Sequence, residues 1–240
     1  MNKITFRGIR PLEFNVKEAY NTLRTNIQFC GKDAKVIALT SCLPDEGKST
    51  IVFRLSQSMA GAGKKVLLLD VDIRRSVLLN RYRANKSVKG LSEYLSDQCE
   101  LGDIVYNTNV ENMDVIFTGP VAPNPSELLG NANMDTLLAY AKENYDYTFI
   151  DCPPLGAVID AAIIAQKCDG AILVVGSKMV SRKLAGKVKK QLEQAQVKIL
   201  GAILNKVDME GKSKYNGYYN SYYGKANDID QERKAGELED

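Results

Sequence analysis

VIALTSCLPDEGKST, residues Val36 to Thr50, sets the fold of the chain. An unbroken apolar segment runs into a polar turn and then into Gly47-Lys48-Ser49-Thr50, which opens a helix. A buried strand that stops at such a turn and restarts as a helix aims several backbone N–H groups at one point, where a phosphate chain can sit. Pro44, Asp45, Glu46, Gly47, Lys48, Ser49 and Thr50 are therefore candidate nucleotide-binding residues. Lys48 is placed to reach the β- and γ-phosphates and Ser49 to hold Mg2+, with Thr50 packing behind it. Cys42 stands where the first glycine of the usual spacing belongs, so the bare pattern is a partial match. A lysine after a glycine at a helix start is the bland alternative.

Outward from this turn, Ile51 to Ala62 continues as a helix and stops at Gly61-Ala62-Gly63. Next comes KVLLLDVDIRR (Lys65–Arg75), an apolar strand ending in Asp70 and Asp72, and later YTFIDCPP (Tyr147–Pro154), another ending in Asp151. The two prolines forbid continuation of strand or helix. Strands this apolar are buried on both faces, as in a parallel sheet. Ligands of such sheets lie outside the carboxyl ends, so Asp70, Asp72 and Asp151 arrive at the edge that carries the phosphate turn. Each carboxylate alone reads equally well as a strand end capping a turn. Together, Ser49, Asp70 and Asp151 suffice to hold Mg2+ directly or through water, because phosphates and waters supply the remaining oxygens.

The rest of the chain alternates in the same way. Residues 1–15 read as an irregular arm, and Val16–Phe29 as a helix with Val16, Tyr20, Leu23 and Ile27 on its apolar side. Glu18, Asn21 and Arg24 lie on its polar side, which is either solvated or a contact between subunits. Short helical pieces are expected at 91–95 and 101–105, and a strand at Met113–Phe117. Asn124 as cap, Pro125 and Glu127 specify a helix start, and another helix spans Met134–Asn144. Ile159–Lys167, Gly170–Gly176, Ser181–Ala195 and Val197–Asn205 alternate helix and strand. The expected fold is α/β, a doubly wound and mostly parallel sheet with helices on both faces. Residues 1–208 would form the domain, with 1–34 as arm and first helix, and 209–240 a flexible tail. The Ser181–Ala195 helix sets Leu184, Val188 and Leu192 among Arg182, Lys183, Lys187, Lys189 and Lys190, a solvated face or a surface for an acidic partner.

Composition removes other classes. At 240 residues the chain fills one α/β domain and buries a sizeable core. A net charge of +3 is too small to argue for nucleic acid. There is no histidine, so no mechanism needing an imidazole base or ligand applies. Cys30, Cys42, Cys99, Cys152 and Cys168 share no metal-ligand spacing and fit reduced thiols serving as small hydrophobes. No apolar run approaches the roughly 18 residues of a spanning helix, and the first residues lack a signal-like segment, so a cytoplasmic location is expected.

Two features remain near the C-terminus. Asn205-Lys206-Val207-Asp208 spells the guanine-reading motif of GTP-binding proteins, though four letters arise easily by chance. Asn205 reads otherwise as an amide near an adenine or a plain strand end. Beyond it, Tyr215, Tyr218, Tyr219, Tyr222 and Tyr223 crowd into nine residues with only glycine, asparagine and serine between them. They read as a sticky low-complexity end, a stacking surface for single strands helped by Lys212, Lys214 and Lys225, or a set of phosphate acceptors. Phosphorylating all five would add roughly −7 to −10 of charge, at about −1.5 to −2 per group.

TSCLPDEGKST (Thr40–Thr50), LLLDVDIRRS (Leu67–Ser76), FIDCPP (Phe149–Pro154) and the tyrosine cluster resemble the bacterial tyrosine kinases, whose nucleotide fold is related to partitioning ATPases. GPVAPNPSELL (Gly119–Leu129) is also similar to a stretch of that family. The resemblance implies a cytoplasmic ATP·Mg2+-dependent kinase of the stand-alone type, which phosphorylates tail tyrosines of a neighbouring copy and serves capsular or extracellular polysaccharide synthesis and export. By matching position, Lys48 and Ser49 would bind ATP·Mg2+, Asp70 and Asp151 serve the metal, and Asp72 approach the tyrosine hydroxyl. The implied partners are the cytoplasmic segment of a separate membrane activator, which would recruit it to the inner face of the plasma membrane, further copies in a ring-shaped oligomer, and a cognate tyrosine phosphatase. Asp45 departs from the family's frequent glycine, Cys152 from a threonine or small residue, and Asn21 from the middle arginine of a helix pattern linked to rings. The rival is a partitioning or cell-division ATPase. Those carry a second lysine five positions before Lys48, where this chain has Leu43.

Overall fold

The computed structural model describes residues 2–82 and 88–207. The chain divides into two units, Met1–Asn205 and Lys206–Asp240, and the first carries every element below. Eight strands form one sheet: β1 (Asn2–Lys3), β2 (Val36–Ser41), β3 (Val66–Asp70), β4 (Tyr106–Asn107), β5 (Met113–Ile116), β6 (Tyr147–Asp151), β7 (Gly170–Gly176) and β8 (Ile199–Asn205). Their order is β1-β4-β5-β3-β6-β2-β7-β8. Every neighbouring pair is parallel except β4 with β5. This is the doubly wound, mostly parallel sheet expected from the apolar runs.

Alternation along each strand divides the core in two. Val36 and Ala38 of β2, with Leu67 and Leu69 of β3, belong to one buried cluster, while Ile37, Leu39, Val66 and Leu68 belong to the other. Successive side chains of a strand point to opposite faces, and both faces here are covered by helices, so a continuous apolar run is what the sheet requires. The first face receives α4 (Leu91–Leu95), α6 (Pro125–Gly130), α7 (Ala132–Asn144), α8 (Asp160–Gln166) and α9 (Arg182–Gln194). The second receives α1 (Phe14–Gln28), α2 (Lys48–Ala60) and the short α3 (Leu78–Arg81). Fully burying one such Leu or Phe contributes about 1.5–3 kcal/mol. A further turn of helix, α5 (Leu101–Ile104), precedes β4.

Several expectations need correction. The arm at 1–15 is not simply irregular, because Asn2 and Lys3 pair in parallel with Tyr106 and Asn107. Ile4 and Phe6 are buried, and the Phe6 ring meets Phe53 edge-on at 5.0 Å and Tyr82 at 5.6 Å. The Ile4-x-Phe6 alternation drives this docking. Asn124 flanks α6 but makes no capping hydrogen bond with its side chain, whereas Asn131 Oδ1 accepts from Met134 N at 3.1 Å and starts α7 at Ala132, two residues before the expected start. The polar row of α1 is partly engaged within the chain. Asn21 donates to Glu18 at 2.8 Å, and Arg24 donates to the Ser58 carbonyl at 3.0 Å, joining α1 to the end of α2. Among the described residues no helix is long and apolar enough to cross a membrane.

Candidate active site

Sheet register builds the site. β6 lies between β3 and β2, with Asp151 opposite Asp70 on one side and Leu39 on the other. Two carboxylates thus close adjacent strands at one level, beside the loop that leaves β2. The Lys48 ammonium, on the first residue of α2, donates to Asp151 Oδ1, and Ser49 Oγ lies 3.4 Å from the same nitrogen. Both members of the ion pair are buried. Asp70 is 1% exposed, with Ser76 Oγ donating to Oδ2 at 2.6 Å and Asp72 N to Oδ1 at 3.1 Å. Asp72, half-buried, accepts from Arg75 N at 3.1 Å.

This crowding sets the protonation chemistry. Burial, with the Asp151 charge alongside, pushes the Asp70 carboxyl up to about 7 despite the bonds from Ser76 and the Lys48 charge. Burial also raises Asp72 above the usual carboxylate range, against the pull of Lys48. For Lys48, burial works against the charge, but Asp151 more than offsets it, with Asp70 and Asp72 behind, and the ammonium is held above its ordinary range. A buried lysine with three carboxylates near it stays protonated at neutral pH.

The phosphate loop is braced from the two strands beyond β2. Glu46 is 1% exposed, and its carboxylate accepts from Leu43 N and from Gly176 N, each at 2.5 Å. Asn205, closing β8, donates its amide N–H to the Glu46 carbonyl at 2.8 Å. Gly47 follows with φ +87°, and a Cβ there would lie 2.2 Å from Asn205 Nδ2, so only glycine fits. Asp45 also has a positive φ, 63°, at the exposed tip beside Pro44. Where the first glycine was missing, Cys42 is fully buried, and its thiol is pushed up to about 11 by burial and by the Glu46 charge. Thr40 joins β2 to the loop after β6, donating to the Pro153 carbonyl at 2.8 Å and accepting from Leu155 N at 3.1 Å.

A family model described as an AAA domain matches residues 34–205. The tyrosine-protein kinase CpsD of Streptococcus agalactiae is 46% identical over 218 residues, covering 91% of this chain and 93% of the relative. The solved kinase domain of the Escherichia coli tyrosine kinase ETK superposes with a TM-score of 0.78 at 30% identity, covering 88% of this chain and 91% of that one. The chain belongs to the bacterial tyrosine kinases. It is a protein-tyrosine kinase by that membership. The septum site-determining protein MinD of Pyrococcus horikoshii, solved with Mg-ADP, shares the fold at a TM-score of 0.63 and 27% identity, covering 75% and 72% of the two chains.

In this kinase the structure gathers Lys48, Ser49, Asp70, Asp72 and Asp151 at one edge. Glu46 and Asn205 sit at the loop, where their side chains brace it. Tyr215, Tyr218, Tyr219, Tyr222 and Tyr223, like Asp208, lie outside the described residues. Oxygen donors alone, Ser49, Asp70 and Asp151, suit Mg2+. A cation there would also relieve the Asp70–Asp151 repulsion that adds to burial in raising Asp70. Sequence reading missed Arg74, Ser126 and Asp160, which form a cluster beside Asp72. The available signal was Asp160 itself, a lone carboxylate in the apolar run Val158–Ala165.

Proposed function

We propose that this kinase transfers the γ-phosphoryl group of ATP to Tyr215, Tyr218, Tyr219, Tyr222 and Tyr223 of a neighbouring copy. In that reading residues 1–208 are the catalytic domain and 209–240 carry the acceptors. The observation that supports it is the convergence of Asp70, Asp151 and Lys48 at the end of two paired strands. Backbone N–H groups of the 44–50 turn would cradle the phosphates, with Lys48 offering positive charge to the β- and γ-oxygens. Ser49, Asp70 and Asp151 would hold Mg2+, which neutralises charge that builds on the transferring group. Asp72, whose carboxyl burial raises, would accept the tyrosine proton. Asn205 acts through the loop it braces.

The family relationship supports a setting in capsular or extracellular polysaccharide synthesis and export. The kinase would be held at the inner face of the plasma membrane by the cytoplasmic segment of a membrane activator, assemble with other copies, and be reset by a tyrosine phosphatase. Incubation with ATP and Mg2+, with the activator's cytoplasmic segment added, followed by mass spectrometry, tests the reading. Phosphate should appear between Tyr215 and Tyr223. ATP hydrolysis with an unmodified tail would favour a partitioning-type ATPase instead.

A further inference from the structure

Three segments leave the carboxyl edge of the sheet near Asp72 and meet at one buried carboxylate. Asp160, first residue of α8, is 1% exposed. Arg74 grips it with both arms of its guanidinium, Nε to Oδ2 at 2.7 Å and Nη2 to Oδ1 at 3.2 Å. Ser126, in the first turn of α6, donates to Asp160 Oδ1 at 2.6 Å and accepts from Arg74 Nη2 at 3.2 Å. Burial works against the Asp160 charge, but the bonds from Arg74 and Ser126 outweigh it and hold the carboxyl below the usual range. The loop from Val71 to Arg75 is otherwise tied by Val71 N to the Asp151 carbonyl at 3.0 Å, Ile73 N to the Val71 carbonyl at 2.8 Å, Asp72 N to the Asp70 carboxylate at 3.1 Å, and Arg75 N to the Asp72 carbonyl and carboxylate, each at 3.1 Å.

We propose that Arg74, Asp160 and Ser126 form a latch that positions Asp72 against the tyrosine hydroxyl. The inference rests on Asp72 as the proton acceptor. It gives the α6 segment, whose Pro125 and Glu127 a helix start alone explains, a part in the chemistry. Asp72 lies two residues from Arg74, so the side chain that fixes Arg74 fixes the backbone carrying the base. A bidentate guanidinium–carboxylate pair defines direction as well as distance, which a lysine in the same place does not. Displacing a reacting group by about 1 Å costs up to about 100-fold in rate, so the latch acts on turnover and leaves the phosphate turn, which follows β2 on the other side of β6, unaffected.

The test uses the full chain with ATP, Mg2+ and a peptide spanning Lys214–Lys225 as acceptor. Arg74→Lys and Asp160→Asn should each lower kcat about 10- to 100-fold, with KM for ATP and affinity for a fluorescent ADP analogue within twofold of the parent. Arg74→Lys/Asp160→Asn should be no slower than the slower single variant. Arg74 is 41% exposed at its side chain, so Arg74→Lys keeps the test usable if Asp160→Asn does not fold. Wild-type kcat in Arg74→Lys, or a loss of ADP affinity that tracks the loss of turnover, overturns the latch. Asp72→Asn separates the two readings. If it is inactive while Arg74→Lys is not, the latch alone fails, and if it is active the proton-acceptor assignment fails and the latch with it.

Discussion

Lys48 and Asp151 form an ion pair whose two side chains are both buried. Removing one partner of a buried pair leaves an uncompensated charge and costs about 3–5 kcal/mol. Lys48→Met should therefore lower stability in urea unfolding as well as abolish tyrosine phosphorylation, and Lys48→Met/Asp151→Asn should regain most of the stability and none of the activity. Asp70 gives a pH prediction. Its folded carboxyl near 7 lies well above the ordinary aspartate value of about 3.9 that the unfolded chain shows, so the folded protein binds the proton more tightly than the unfolded one. Stability then falls as pH rises from about 4 to about 7. In metal-free buffer Asp70→Asn should melt higher than the parent at pH 8, with the advantage gone near pH 4. Lys48, Asp70 and Asp151 were legible in the sequence because each ends an apolar run or follows a glycine. Glu46 was legible only as a member of the phosphate turn, since the anchor of its side chain, Gly176 N, lies 130 positions away and no local pattern encodes that distance.

Among elements, α2 carries the most consequence, since its first turn supplies Lys48 and Ser49 while its body fills the core. Phe53 is fully buried, stacked on Tyr82 at 3.7 Å between centroids and struck edge-on by Phe6 at 5.0 Å. Phe53→Ala should cost about 3–5 kcal/mol, measurable by chemical denaturation. Phe6→Ala should loosen the N-terminal arm, read as faster hydrogen exchange at Ile4, whose N–H bonds the Asn107 carbonyl at 2.9 Å. The long strands were visible as unbroken apolar runs, and the long helices, up to fifteen residues in α1, from their apolar spacing. β1 and β4, two residues each, are too short to carry any pattern, so they emerge only from their pairing with each other and, for β4, with β5.

For the whole molecule, the division into Met1–Asn205 and Lys206–Asp240 matters for how transfer is tested. A chain ending at Val207 keeps every strand and helix described above. It should retain its melting temperature within a few degrees, lose self-labelling, and still phosphorylate full-length Lys48→Met added to the same tube. Failure of that last reaction would place donor and acceptor in one copy. The braces on the phosphate loop carry a different lesson, for engineering. Glu46 is anchored on Gly176, and Asn205 fills the space a side chain on Gly47 would need. Transplanting Cys42–Thr50 onto the strand–helix junction of another scaffold would move the letters and lose the shape. A recipient would have to import the ends of two more strands before the graft could grip a phosphate.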